Sequence, residues 1–242
     1  MRMANDRQSF VISIGIVQLL SLTSLILVGI WTGKQLGGFS WQSNPATEFN
    51  YHPLFMVIFV YLYGNGMLMY RVIKRYSNIK RKIIHAVHFI LCFILVVIAL
   101  KAVFDSHDLA KIPKKNMYTL HSWIGLGAVI LFSAQLVFGI TMTLLKYYAI
   151  YEMKSFRSFH KYFGLTIFAL FVGSCVIGIN EKIIFKLKNK TNPTERYDHL
   201  PPLALTGNFL GVVLVIQAMY VSYLVTNSNY RKPESSDQSY IL

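Results

Sequence analysis

Residues 119–145, Thr-Leu-His-Ser-Trp-Ile-Gly-Leu-Gly-Ala-Val-Ile-Leu-Phe-Ser-Ala-Gln-Leu-Val-Phe-Gly-Ile-Thr-Met-Thr-Leu-Leu, contain no Asp, Glu, Lys or Arg. At about 1.5 Å of rise per residue, a helix of this length more than crosses a hydrocarbon core of about 30 Å. Backbone N–H and C=O groups cannot go unpaired in lipid, and the run is far too long for a barrel strand, so it predicts a helix. Five more apolar runs flank it, at Phe10 to Trp31, Tyr51 to Tyr70, Ile83 to Phe104, Phe159 to Ile179 and Leu203 to Val225. The sequence therefore reads as an all-α integral membrane protein with six transmembrane helices. Composition agrees, because 54% of the 242 residues are hydrophobic and only 14% charged, against about a quarter charged in soluble domains. The first run, at 22 residues, exceeds a signal-peptide core and lacks a clear small-residue cleavage site, so it reads as a retained span.

The net charge of +14 would suggest nucleic acid in a soluble protein. Here it reads as membrane topology, with no nucleic-acid partner. With the N-terminus in the cytosol, inner segments carry 14 Lys and Arg and outer segments 10. Arg71, Lys74, Arg75, Lys80, Arg81 and Lys82 crowd one short loop and mark it as cytosolic. Both termini then face the cytosol, and the sequon Asn189-Lys190-Thr191 falls outside. The organisation is a cytosolic N-terminus over 1–9, a six-helix domain over 10–226 with its core at 49–182, and a polar, disordered cytosolic tail over 227–242. Cys92 and Cys175 lie inside apolar runs and read as buried thiols.

Histidine placement carries the functional signal. Five of the seven histidines, His52, His85, His88, His121 and His160, lie near span ends, and an ionisable group at membrane depth is costly unless paired or functional. His52 and His121 open spans that run in one direction, so both sit near the outer face. His85 and His160 open spans of the opposite direction and sit near the inner face. The result is two His pairs at two depths, each drawn from two helices, within a four-helix bundle of helices 2–5. Bis-histidine ligation of haem iron requires one imidazole on either side of the porphyrin. No Cys-x-x-Cys-His attachment signal is present, so the two haems would be b-type. A zinc site would want three or four converging ligands, and no carboxylate or thiol accompanies the pairs. Gly64, Gly66, Gly125, Gly127, Gly164 and Gly173 suit either macrocycle approach or close helix packing.

Four segments carry a family resemblance: Phe49-Asn50-Tyr51-His52-Pro53, Lys82-Ile83-Ile84-His85, Asn116-Met117-Tyr118-Thr119-Leu120-His121-Ser122-Trp123-Ile124-Gly125 and Gly178-Ile179-Asn180-Glu181-Lys182. On them the chain resembles the cytochrome b561 family, transmembrane electron carriers that use ascorbate. The resemblance implies two haems b, with His52 and His121 ligating the outer one and His85 and His160 the inner one. His88, three residues on, projects from nearly the same face as His85, and the family's Lys-x-x-His pattern favours His85. Arg71 resembles a position that meets a haem propionate. Asn116, Met117, Tyr118, Thr119 and Glu181 resemble residues around the outer haem.

The resemblance also implies substrates. Lys82 matches an ascorbate-binding lysine, and Lys74, Lys80, Lys154 and Arg157 surround it on the inner rim. The family's arginine seven residues before the span-five His is Met153 here, with Lys154 beside it. On the outer side, Phe104-Asp105-Ser106-His107 resembles an acceptor loop in which His107 would bind a ferric ion or monodehydroascorbate, with Tyr118 and Asn180 beside it. Lys111, Lys114 and Lys115 would favour anionic acceptors such as ferric chelates. The resemblance implies a reductase carrying one electron at a time from cytosolic ascorbate to a non-cytosolic acceptor, ferric iron or monodehydroascorbate. A homodimer and a plasma-membrane, vesicle or endolysosomal location are also family traits. Two rivals stand beside this reading, a transporter whose membrane histidines pass protons or a metal ion, and a haem subunit of a larger respiratory complex.

Overall fold

The computed structural model describes residues 2–73, 75–144, 153–188 and 191–230. Lys74, the Asn189-Lys190 part of the sequon and the tail from 231 onward lie outside the described residues. The Lys154 backbone is described but its side chain is not. Helix α1 spans Arg2–Ile30 and continues through a π-turn, Trp31–Gln35. A short α2, Pro45–Glu48, precedes α3 at Tyr51–Val72. Helices α4 (Asn78–Asp108), α5 (Leu120–Leu144), α6 (Met153–Leu187) and α7 (Pro202–Thr226) follow. Among the described residues every regular element is helical, and six helices are long and apolar enough to cross a membrane.

Each long helix covers its predicted apolar run to within a residue or so, and three extend well past it, α1 by starting at Arg2, eight residues before Phe10. Helix α4 begins five residues before Ile83 and ends four after Phe104, carrying Lys80, Lys82 and His107 on its terminal turns. Helix α6 begins before Phe159 and ends after Ile179. Charge bounds the lipid-immersed part of a helix and not the helix itself, because the backbone ladder continues into the polar headgroup zone.

Helices α3 to α6 form the central bundle, in which α3 packs on α4, α4 on α5, α5 on α6 and α6 on α3. Helix α7 covers one side by packing on α6, and α1 packs on α7 and α3. Polar ties fix this outer layer. Trp31 is fully buried and donates from Nε1 to the Leu203 carbonyl at 3.0 Å. Gln35 donates to Thr206 Oγ1 at 2.9 Å. Gln18 reaches Asn65 at 2.7 Å inside the spans, where such a bond substitutes for absent water. At the far end of α7, Ser228–Tyr230 form a 3-10 turn, and the Tyr230 ring lies 5.1 Å from that of Phe10.

The bundle centre is an aromatic core. Phe59, Tyr63, Phe132, Phe168 and Phe171 are all buried, with ring centroids from 4.5 to 6.2 Å apart in the contacting pairs. Tyr63 donates its hydroxyl to the Gly164 carbonyl at 3.0 Å, which removes the one polar atom this core would otherwise strand. Gly64 meets Val221 and Phe168 as ordinary packing, and Gly127 and Gly173 face open space.

Candidate functional site: two facing imidazole pairs

The first pair is built where α3 and α5 begin. The loop from the π-turn to α3 turns through Gly37 and Gly38, at φ +96° and +83°, a region open to glycine at little cost. The buried Asn50 side chain donates from Nδ2 to the carbonyls of Leu36 at 3.1 Å and Gly38 at 2.7 Å. Asn50 thereby satisfies carbonyls that the helix end leaves free and fixes the start of α3 against α1. Pro53 falls in the first turn of α3, where its missing N–H is no loss.

Helix α5 starts with a capping box. Ser122 N–H bonds Thr119 Oγ1 at 3.3 Å and Thr119 N–H bonds Ser122 Oγ at 3.1 Å, which sets His121 on the first turn. His52 and His121 then face each other with ring centroids 6.0 Å apart, at 82°. His52 Nδ1 pairs with the Ala99 carbonyl at 3.1 Å and His121 Nδ1 with the Ser174 carbonyl at 2.9 Å. Each ring therefore uses Nδ1 to hold its orientation and keeps Nε2 for another partner. Gly178 makes the approach of His121 possible, because a Cβ there would stand 2.6 Å from His121 Cε1.

The second pair lies at the opposite end. His85 on α4 faces His160 on α6 at 6.2 Å and 64°. Its ring packs between Tyr70 at 5.2 Å and Phe89 at 4.7 Å. Tyr70 ends α3 while His52 opens it, so the two pairs mark the two ends of the bundle, with the aromatic core between. Gly139 receives the His160 ring, 3.4 Å from where a Cβ would be. His88 takes no part in this facing geometry and instead bonds the Leu62 carbonyl through Nε2 at 2.8 Å.

The pairs fit a planar metal group. Imidazoles binding one metal from opposite sides, each at about 2.0–2.1 Å, place their ring centroids roughly 6 Å apart. Metal-bound histidines characteristically pass their second N–H to a backbone carbonyl, as His52 and His121 do. His85 differs, because its Nδ1 is buried with no hydrogen-bond partner among the described residues, although the Gly66 backbone acts on the ring. No group of three or more His, Cys, Asp or Glu able to hold a metal ion occurs among the described residues. The ligand supply is therefore two by two.

The remaining predicted residues divide by end. His107 Nδ1 lies 2.6 Å from Asn116 Oδ1, and Asn116 Nδ2 donates to Asp108 at 3.3 Å. This joins the end of α4 to the segment before α5, near the first pair. Met117 adopts φ +58° and accepts from Trp123 Nε1 at 2.9 Å. Phe104 and Tyr118 are exposed, Glu181 is half-buried, and Asn180 accepts from Tyr197 at 3.2 Å. Lys80 and Arg157 are exposed and Lys82 half-buried, all at the second end. Arg71 bonds the carbonyls of Val225 and Asn227, closing the end of α7.

Three residues to which the sequence reading gave no role at a site belong to these sites. Arg81 is buried, bonds Asn78, lies over the Tyr70 ring at 5.7 Å and leaves Nε unpaired among the described residues. Its position four before His85 places it on that residue's helix face, a readable signal in a loop otherwise counted only for charge. Lys182 lies over the Phe49 ring at 3.6 Å, beside the first pair. Glu48 is wholly buried with both carboxylate oxygens unpaired among the described residues.

A six-span protein with one imidazole pair at each end of an antiparallel four-helix core defines a class, polytopic helical membrane proteins with paired histidines between their spans. Within that class the chain belongs to the cytochrome b561 family: the family model for eukaryotic cytochrome b561 matches residues 51–186. The chain is 36% identical over 222 residues to the lysosomal membrane ascorbate-dependent ferrireductase of Danio rerio, covering 90% of this chain and 89% of the relative. It is 33% identical over 222 residues to the transmembrane ascorbate-dependent reductase of Mus musculus, covering 91% and 85%. With the lysosomal membrane ascorbate-dependent ferrireductase of Homo sapiens it shares 35% over 207 residues, covering 84% and 83%.

Proposed function

We propose that this protein is a transmembrane ascorbate-dependent reductase that moves one electron at a time across the membrane to ferric iron or monodehydroascorbate. The observation that carries the proposal is the presence of two facing imidazole pairs, at 6.0 and 6.2 Å, at opposite ends of one bundle. His52 and His121 would hold one haem b, and His85 and His160 the other. Each haem, when bound, supplies an iron that cycles between ferric and ferrous states, which is the redox chemistry no side chain here can provide.

The chain's own residues do the rest. Lys82 and Lys80, with Arg157, form the cationic rim that receives the ascorbate anion on the cytosolic side, and the sequence adds Lys74 and Lys154 to it. Arg81 and Arg71 stand at the same end, and Arg81 has a donor unpaired among the described residues that suits a carboxylate. Ascorbate gives up one electron and one proton there, so a hydrogen-bonding group at that rim must take the proton. On the far face, His107, oriented by Asn116, presents Nε2 to the acceptor beside Phe104, Tyr118 and Asn180. Lys111, Lys114 and Lys115 draw anionic acceptors toward it. The Phe59–Tyr63–Phe132–Phe171 core excludes water between the two ends, so protons stay on their own sides while electrons cross.

Reconstituted vesicles test this directly. With ascorbate trapped on the face bearing Lys82 and a membrane-impermeant ferric chelate on the other, the protein is expected to reduce the chelate, and vesicles lacking protein are not. A vesicle that passes protons or metal ions but no electrons would favour the transporter reading.

A further inference from the structure

Lys182 lies on α6 one turn beyond Gly178, the residue against which His121 packs. Its ammonium is 3.6 Å from the Phe49 ring centroid, and that ring is 6.2 Å from the His52 ring. Lys182, Phe49, His52 and His121 thus form one contiguous run of contacts at the first pair. The side chain is half-buried, and among the described residues no carboxylate pairs with it. Its charged surroundings are Lys114 and Lys186, both of its own sign, and it acts electrostatically on His52.

Lys182 lies three residues past the apolar run that ends at Ile179, with like charges around it and no carboxylate bonded to it among the described residues. A ring face returns only about 0.5–2 kcal/mol to a cation, which leaves its charge free to act on a neighbouring group. Lys101 at the same end shows the ordinary solution, an ion pair with Asp105 one turn away on α4.

We propose that Lys182 is a positioning residue whose positive charge, placed beside the His52–His121 group, raises that group's reduction potential. The inference rests on the haem reading above. When that group accepts an electron its charge falls by one unit, and a neighbouring cation stabilises the reduced state over the oxidised one. The electron comes from ascorbate, which is oxidised by one electron and loses one proton, so no other reductant is needed. The effect favours electron residence at the acceptor end.

A spectroelectrochemical titration of the purified full-length holoprotein tests this, with wild type, Lys182→Met, Lys182→Gln and Lys182→Arg compared. A unit charge about 10 Å from a redox centre, acting through an effective dielectric of about 20, changes an equilibrium about tenfold. In the Met and Gln variants one of the two titration waves is expected to move to lower potential. The constant for electron sharing between the two groups falls about tenfold, with the haem content unchanged. Lys182→Arg retains the wild-type curve. Waves that stay in place in both neutral variants, or that move together, overturn the proposal, as does loss of the His52–His121 haem from both, which would make Lys182 a holding residue. A wild-type protein containing no haem would instead refute the reading on which this inference rests.

Discussion

The two ends of the bundle solve one geometric problem with different completeness. At the His52–His121 end both imidazoles have their Nδ1 atoms tied to backbone carbonyls, a capping box sets one helix start and Asn50 sets the other. At the His85–His160 end the facing distance is almost the same, yet among the described residues His85 Nδ1 is buried without a partner and Arg81, four residues before it, leaves Nε unpaired. Groups left unpaired at the first end among the described residues, such as the Glu48 carboxylate and Asn50 Oδ1, are acceptors. The second leaves donors to be used by what binds there, which suits the rim proposed to receive ascorbate. Matching the ring spacing is thus a property of helix packing, while the surrounding hydrogen bonds distinguish a preset site from one completed by its ligand.

The largest effect should come from removing a ligand. His121→Leu and His85→Leu are each expected to lower the haem-to-protein ratio from two to one, measured by pyridine haemochrome assay. Transmembrane reduction should fall by more than about 100-fold, beyond the 10–100-fold that changes around a ligand produce. If either variant keeps both haems, the pairing is wrong at that end.

Next comes the glycine under His121. Gly178→Ala places a Cβ 2.6 Å from the His121 ring, where something must shift, whereas Gly173→Ala meets nothing within 4 Å. Haem affinity at the first end should drop about 10–100-fold in the former and stay unchanged in the latter, read by haem retention on dilution. Equal behaviour of the two variants would show that the close approach of Gly178 has no consequence.

At the second end, Lys82→Gln should raise the ascorbate concentration for half-maximal reduction about 10- to 100-fold, with both haems retained. That is the scale of one hydrogen bond to a charged group, about 1.5–3 kcal/mol. No change would move the donor site elsewhere on the rim. The smallest effect belongs to His88→Phe, which deletes the bond to the Leu62 carbonyl and should cost about 1 kcal/mol of stability. The haem ratio stays at two, and a loss of haem in that variant would exchange the roles of His85 and His88.

Most of this architecture was legible from the chain. Uninterrupted apolar runs define six helices because lipid leaves the backbone no alternative, and the direction of successive helices sorts the histidines by depth. The choice between His85 and His88 was not legible from spacing, since three residues on a helix share a face. It is the carbonyl of Leu62 on α3 that engages His88 and leaves His85 opposite His160. Lys182 and Arg81 were hidden for another reason. Their charges fitted the topology count equally well on any face, and only tertiary packing puts one over Phe49 and the other over Tyr70. Asn50 was quoted as part of a motif, but its bonds to Leu36 and Gly38 join segments whose contact no periodicity encodes.

The most direct measurement is a visible absorption spectrum of the detergent-purified protein, oxidised and then with ascorbate added, together with its haem-to-protein ratio. The account predicts a b-type spectrum at two haems per chain that ascorbate reduces. A protein that purifies with no haem, or with haem that ascorbate leaves oxidised, would contradict it.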